Sequence, residues 1–370
     1  MRIAVFSHSL LSDWNHGNAH FLRGIVSELE RRGHAVWCYE PADGWSIQNL
    51  IHDHGCAPLE AVQRLYPRLR ILRYRADTLT LEAALADIEL AVVHEWNSPQ
   101  LVRDIGNIRQ RFRSFRLFFH DTHHRSVSAP NQMHQYDLSG YDGALVFGES
   151  VRDAYQRHCW SARVWTWHEA ADTTVFRPDW NRTERLDLVW VGNWGDEERT
   201  EELYQYLIRP SRTLGLSTRV YGVRYPNTAQ HALRHAGIDY GGWLPNHRVA
   251  AVLQQSKFTV HVPRRPYVQQ LPGVPTIRIF EALASGVPLA TAPWSDTEGL
   301  FAAGRDFLIA RDEQEMTRHL RALRDDAGLR QELARNGWAR ILQKHTCSHR
   351  VDQLMQIYKS VANANDHHAH

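Results

Sequence analysis

The residues of this 370-residue chain best equipped for chemistry are carboxylates, guanidinium groups and imidazoles that follow short apolar runs. Glu281 lies in RIFEALASG. A carboxylate in the first turn of a helix facing a cleft can accept two hydrogen bonds from vicinal hydroxyls. The helix macrodipole alone also favours a Glu there. The preceding loop Pro272–Arg278 (PGVPTIR) can present backbone N–H groups to a phosphate at a helix start, with Thr276 and Ile277 as the donors. Arg278 is either a phosphate ligand or a solvated helix residue. Arg199 stands seven residues after Gly192, in a loop leading into a helix, and its planar fork suits bidentate anion contact. Arg264 and Arg265 come after another apolar run and either add positive charge at the same place or belong to a basic loop in water.

Two further pairs, His94-Glu95 and His120-Asp121, each end an apolar run. An imidazole at a strand tip can hydrogen-bond a hydroxyl or a developing charge. His8 and Asp13, on the first loop, are candidates of the same kind. His123, His124 and Asp121 hold metal-ligating types, but no second cluster lies nearby, and no metal is expected. Trp243, between Gly242 and Leu244, is placed either to stack on a flat ring whose edge the Leu244 backbone reads, or to fill a core. Asp296 and Glu298, in PWSDTEG (Pro293–Gly299), are candidates for hydroxyl contacts.

These residues need a scaffold, and the pattern supplies one. Strand-like runs (Arg2–Ser7, His34–Tyr39, Leu90–His94, Arg116–His120, Gly143–Phe147) are separated by helix-length or loop segments. Asn18–Arg32 carries Phe21, Leu22, Ile25, Val26 and Leu29 at helical spacing, and Gly33 stops it. The alternation pauses at His168–Asp179 and resumes. Strands are expected at Leu186–Val191, Ser217–Val223, Phe258–Val262 and Pro288–Ala292, and helices at Glu197–Leu207, Asn246–Gln255 and Thr276–Ala284. From Glu313 to Val361 the pattern is helical and charged. Strands alternating with helices argue for parallel sheets covered on both faces. The expected fold is α/β, with two doubly wound Rossmann-like domains facing a cleft. The first spans residues 1–175 and the second 176–370, with the last helix packing back on the first. Open parallel sheets bind ligands beyond the carboxyl ends of their strands, where the residues above fall.

Composition excludes several classes. Hydrophobic residues at 43% and charged residues at 23% are a globular balance, and a formal net charge of +2 gives no case for a nucleic-acid partner. Four scattered cysteines make neither a zinc site nor a disulfide framework. No apolar run approaches the ~18 residues of a spanning helix, and MRIAVFSHSLL reads as a first strand rather than a leader, so a cytoplasmic location is expected. The polar tail Asn363–His370 holds histidines but reads as a frayed terminus.

Several segments, in order, resemble glycosyltransferases of the GT-B type, in the large E-x7-E group. Gly17–Val36 (GNAHFLRGIVSELERRGHAV) is similar to that group's opening helix, with Gly17 matching the second of its paired glycines and His16 replacing the first. Ala171–Pro178 (ADTTVFRP) resembles its linker, Gly242–Leu253 (GWLPNHRVAAVL) its loop and helix, and Arg278–Leu289 its F-E-A-x-A-x-G-x-P core. The run from Leu300 to Arg350 is similar to the branch of spore-coat maturation glycosyltransferases. The resemblance implies a nucleotide-diphosphate sugar donor, such as a UDP-sugar. It implies that Glu281 holds the ribose and that Arg199, where the group often has Lys, neutralises the diphosphate. Asn193 stands where the group has an Arg, and Arg264 and Arg265 are the candidates to supply that charge. His120 matches the histidine that touches the donor sugar, and Trp243 and Leu244 match the base-binding loop. Gly273 replaces the group's first Glu, which contacts the transferred sugar.

The expected activity is therefore transfer of a hexose-like sugar to a small-molecule, glycan or lipid-linked acceptor, with retention of configuration. Donor contacts fall to Glu281, Arg199, Thr276, Ile277, Arg278, Gly192, Asn193, Arg264, Trp243, Leu244 and Gly17, and chemistry to His120 and His94. There is no D-x-D for a divalent cation, so no metal or other cofactor is expected. A nucleotide-sugar epimerase on the same architecture and a non-catalytic sugar-binding protein are the alternatives.

Overall fold

A computed structural model describes residues 1–75, 77–195 and 197–366, the last three of these in backbone only. The histidines His367, His368 and His370 of the tail lie outside the described residues. The chain forms two compact units. One comprises Met1–Glu169 together with the chain from Cys347 onward, and the other Ala170–Thr346.

The first unit is built on seven parallel strands: β1 (Arg2–Phe6), β2 (Ala35–Pro41), β3 (Arg70–Tyr74), β4 (Leu90–His94), β5 (Arg116–Asp121), β6 (Gly143–Val146) and β7 (Val164–Thr166). Their order in the sheet is β3-β2-β1-β4-β5-β6-β7. The direction of winding reverses between β1 and β4, and that is where a doubly wound sheet opens a crevice. All five residues of β4 are buried, as expected of a central parallel strand covered on both faces. The helix Ala19–Arg31 buries Phe21, Leu22, Ile25, Val26 and Leu29, the stripe its spacing marks out. Gly33 then takes a positive φ of 84°, which ends the helix and turns the chain into β2. The last helix, Cys347–Asp366, packs on Ala19–Arg31, with Arg32 donating to Asp352 at 2.6 Å.

The second unit repeats the plan with β8 (Leu186–Val191), β9 (Thr218–Tyr221), β10 (Asp239–Tyr240), β11 (Ser256–His261), β12 (Leu289–Thr291) and β13 (Leu308–Ile309), in the order β10-β9-β8-β11-β12-β13. Here the reversal lies between β8 and β11. Its core runs from Leu188, Val220 and Phe258 on the sheet to Leu203, Leu207, Leu320 and Leu323 on the helices. Each such buried side chain contributes about 1.5–3 kcal/mol.

Central strands match the sequence expectation closely, and edges do not. β3, β7, β10 and β13 lie outside every expected run. β3 (RILRY) is half exposed, and β10 and β13 have two residues each, so none carries a long apolar signature. The helix expected at Glu197–Leu207 begins at Thr200, widens to a π-turn at Tyr204–Ile208 and continues through Arg209–Leu214. Pro210 has no N–H to give the preceding turn, and the ladder widens just before it. Among the described residues, no helix is long and apolar enough to cross a membrane.

Candidate functional site

The second unit gathers most of the expected anion-binding residues at the β8/β11 reversal. The helix Ile277–Ala284 starts after Thr276, whose backbone (φ −85°, ψ 158°) is that of a cap but whose side chain caps nothing. The reason is a relay. The Thr291 hydroxyl donates to the carbonyl of Ala292 (2.9 Å), so it accepts from Nδ1 of His261 (2.9 Å). Nε2 of His261 is then left to accept from the Thr276 hydroxyl (2.9 Å). With the hydroxyl so engaged, the first-turn N–H groups at Ile277 and Arg278 carry the positive end of the helix with no side-chain cap. Burial, and then Arg199 and Arg278, hold the His261 pKa down at about 3, so the relay is uncharged.

Arg199 spans the reversal. Its two terminal nitrogens donate to the carbonyls of Val262 (2.7 Å), after β11, and Asn193 (2.6 Å), after β8. Its guanidinium lies 5.2 Å from the Trp190 ring centre. Burial lowers its pKa to about 9, so it stays charged at neutral pH. The structure thus makes Arg199 a clasp between two strand tips as well as a local source of charge. Gly192 closes the same turn, donating to Tyr221 (2.8 Å) and accepting from the Tyr225 hydroxyl (2.8 Å). Asn193 accepts from the Val223 N–H (2.9 Å).

Two expectations need correction. Glu281 is not in the first helical turn: it is the fifth residue of Ile277–Ala284, 1% exposed, and its Oε2 takes a hydrogen bond from Arg278 one turn earlier. The macrodipole is therefore not what places it, and Arg278 is its ion-pair partner. Asp296 is likewise committed, accepting from the N–H groups of Leu300 (3.0 Å) and Phe301 (2.7 Å) in its own loop. Arg264 pairs with Glu198 (2.7 Å), and Arg265 with Glu202 (2.9 Å). Trp243 and Leu244 are half-buried in the segment between β10 and the helix Asn246–Leu253.

Gly273 has φ +86°, and a Cβ there would lie 2.6 Å from Thr297 Oγ1 and 3.0 Å from a carboxylate oxygen of Glu298. The space a side chain at 273 would enter is thus filled from the neighbouring loop.

In the first unit the histidines meet. The register of β4 with β5 sets His94 opposite His120, and their ring centres are 5.2 Å apart. His8, on the loop after β1, lies 4.0 Å from His16 and 6.0 Å from His94. His94 Nδ1 accepts from the Trp96 N–H (3.4 Å), so Nε2 carries the proton toward Thr122 Oγ1 (3.2 Å). His120 is 0% exposed behind it, against Trp167 at 4.8 Å. Burial lowers the pKa of all four rings, to about 3 for His8 and His120. Asp121 accepts from the Tyr155 hydroxyl (2.8 Å) and the His123 N–H (3.0 Å), a structural role. Glu95 is bonded to Arg125 at 2.5 Å, and burial followed by the nearby Asp121 raises its pKa. Gly17 is half-buried in the turn before the helix Ala19–Arg31. Among the described residues, no group of three or more His, Cys, Asp and Glu side chains is arranged to hold a metal.

Sequence reasoning missed the residues that hold the His8–His16 loop. Arg23 is fully buried on the helix Ala19–Arg31 and donates to the carbonyl of Leu10 (2.6 Å), to Asp13 (2.9 Å) and to the carbonyl of Leu11 (3.2 Å). Glu40, in β2, accepts from the N–H groups of Leu10 (2.7 Å) and Leu11 (3.2 Å). An Arg on the apolar stripe of an amphipathic helix was the available signal. For His261 it was an imidazole at a strand end, as at His94 and His120.

Comparison with known proteins bears on the fold. Residues 199–356 match the family model described as glycosyl transferase-like. A sequence comparison with curated proteins returned no match. Among solved structures, the chain is similar to a sucrose-phosphate synthase from Thermosynechococcus elongatus (TM-score 0.67, 14% identity, covering 98% of this chain and 100% of that one). It is similar to HepE from Anabaena in complex with UDP (0.67, 12%, 97% and 100%). It is also similar to an α-glucosyltransferase in complex with UDP and a 13-mer DNA (0.69, 12%, 97% and 99%). The chain thus has the GT-B fold, two parallel-sheet Rossmann-like halves, and its second unit carries most of the glycosyl transferase-like match.

Proposed function

We propose that this protein transfers a sugar from a UDP-sugar to an acceptor, with the donor on the second unit and the acceptor on the first. The observation that carries the reading is the uncapped start of the helix Ile277–Ala284, with the Arg278–Glu281 pair on that helix and Arg199 at the β8/β11 reversal. Uncapped N–H groups and a fixed guanidinium stabilise negative charge on a departing diphosphate without a metal ion. The Glu281 carboxylate, held by Arg278, accepts from the ribose hydroxyls. Trp243 and Leu244 face the base, and Asn193, Gly192 and Arg264 border the diphosphate. Structures similar to this one bind UDP, and one of them UDP and glucose. The likeness to the E-x7-E group suggests retention of configuration. Glu298, against Gly273, is the carboxylate nearest the place of that group's first Glu, and we assign it the donor-sugar contact. His94 is the acceptor-side imidazole, with His120 behind it. No observation favours the epimerase or the non-catalytic reading.

The test is calorimetry with UDP and UDP-glucose, then an assay for UDP release with cell extract as acceptor. Glu281→Gln should weaken UDP binding by roughly 10–100-fold, the worth of about 1.5–3 kcal/mol for a hydrogen bond to a charged group. Wild-type affinity in that variant, with the fold intact, would sink the donor assignment.

A further inference from the structure

The reversal between β1 and β4 in the first unit carries a feature that donor chemistry does not use. Trp45 opens the helix Trp45–His54 and is 38% exposed. Trp96 comes just after β4 and is 36% exposed. Both flank one imidazole. The His8 ring is stacked against Trp45 at 5.5 Å and 9°, and meets Trp96 at 6.1 Å and 62°. Gly44 makes the first contact possible, because a Cβ at that position would lie 3.0 Å from the His8 carbonyl. One face of each indole is braced, that of Trp45 by His8 and that of Trp96 by the Arg125 guanidinium at 4.2 Å from its ring centre. His8 itself is 3% exposed, and neither of its ring nitrogens has a hydrogen-bond partner among the described residues. A buried imidazole left with an unused donor and an unused acceptor is costly unless a ligand meets it.

We propose that Trp45, Trp96 and His8 form a binding site for an uncharged carbohydrate, and that this is the acceptor. The proposal rests on the transferase reading above. A pyranose ring has an apolar face of C–H groups and an equator of hydroxyls. Indole faces match the first, and a neutral imidazole, at once donor and acceptor, matches the second. Charge selects against an anionic ligand. The guanidinium groups beside the site are ion-paired, Arg23 with Asp13 (2.9 Å) and Arg125 with Glu95 (2.5 Å), and burial keeps His8 uncharged at neutral pH.

The full chain, fluorescently labelled, is applied with UDP present to an array of neutral oligosaccharides and of sulfated and phosphorylated ones. UDP binding is measured separately by calorimetry. Neutral oligosaccharides should bind. Trp45→Ala and Trp96→Ala should each weaken that binding by about tenfold or more, while Trp45→Phe retains part of it and UDP affinity is unchanged in all three. The proposal is overturned if the chain binds UDP but no neutral oligosaccharide, if only anionic glycans bind, or if both alanine variants bind like wild type. Tryptophan-dependent glycan binding without UDP binding would leave this site standing and reject the donor reading instead.

Discussion

Replacing His120 by Phe tests the electrostatic state of the first unit. The ring is 0% exposed, lies 6.1 Å from Phe21, 4.8 Å from Trp167 and 5.2 Å from His94, and has no hydrogen-bond partner at either nitrogen among the described residues. Burial lowers its pKa from 6.5 to about 3. As pH falls below its ordinary value the unfolded chain takes up a proton that the folded chain refuses until about pH 3. The stabilisation is therefore whole above the unfolded pKa and lost on acidification between the two values, at about 1.4 kcal/mol per pH unit for this one ring. Between about pH 7.5 and about pH 5 the loss is about 2 kcal/mol, a large part of the 5–15 kcal/mol that holds a typical domain folded. Phe does not titrate and suits the aromatic surroundings. His120→Phe should thus gain about 2 kcal/mol relative to wild type on moving to the lower pH, or about 4–8 °C in melting temperature. Calorimetric melts of both proteins at the two pH values measure it, with His52→Phe as a control because the His52 side chain is 86% exposed. An equal stability difference at both pH values would show that His120 is charged or hydrogen-bonded in the folded protein and would refute the argument.

Arg199→Lys should cost about 1–3 kcal/mol of stability in urea unfolding, because Lys lacks the planar fork whose two separate nitrogens bond the Val262 and Asn193 carbonyls, and UDP affinity should fall with it. Gly273→Ala, at φ +86° and with Thr297 Oγ1 2.6 Å from the new Cβ, should cost about 1–2 kcal/mol in thermal unfolding and raise KM for the donor. Activity that survives exhaustive EDTA treatment is expected, since cationic groups and helix N–H groups take the charge a metal would otherwise carry. Loss of activity, restored by a divalent ion, would contradict that.

The sequence alone determined the central framework. β4 and β8 match their expected runs residue for residue, because a strand covered on both faces needs a mostly apolar run, a local property. It also placed the candidate residues at strand ends, since chain order fixes which residues come directly after each strand. Only the tertiary structure decided what each candidate touches. Strand register, not spacing in the chain, sets His94 against His120. A fold in the backbone brings the Asn193 and Val262 carbonyls, 69 positions apart in the numbering, within reach of Arg199. Counted from the helix start at Ile277, Glu281 is the fifth residue, beyond the first turn, where it pairs with Arg278. Trp45, after β2, and Trp96, after β4, stand 51 positions apart and meet at His8 only because both strands flank β1 in the sheet. Hydrogen bonds and ring contacts act over a few ångströms of space, and no local pattern of residue types encodes which distant segments the sheet will bring that close.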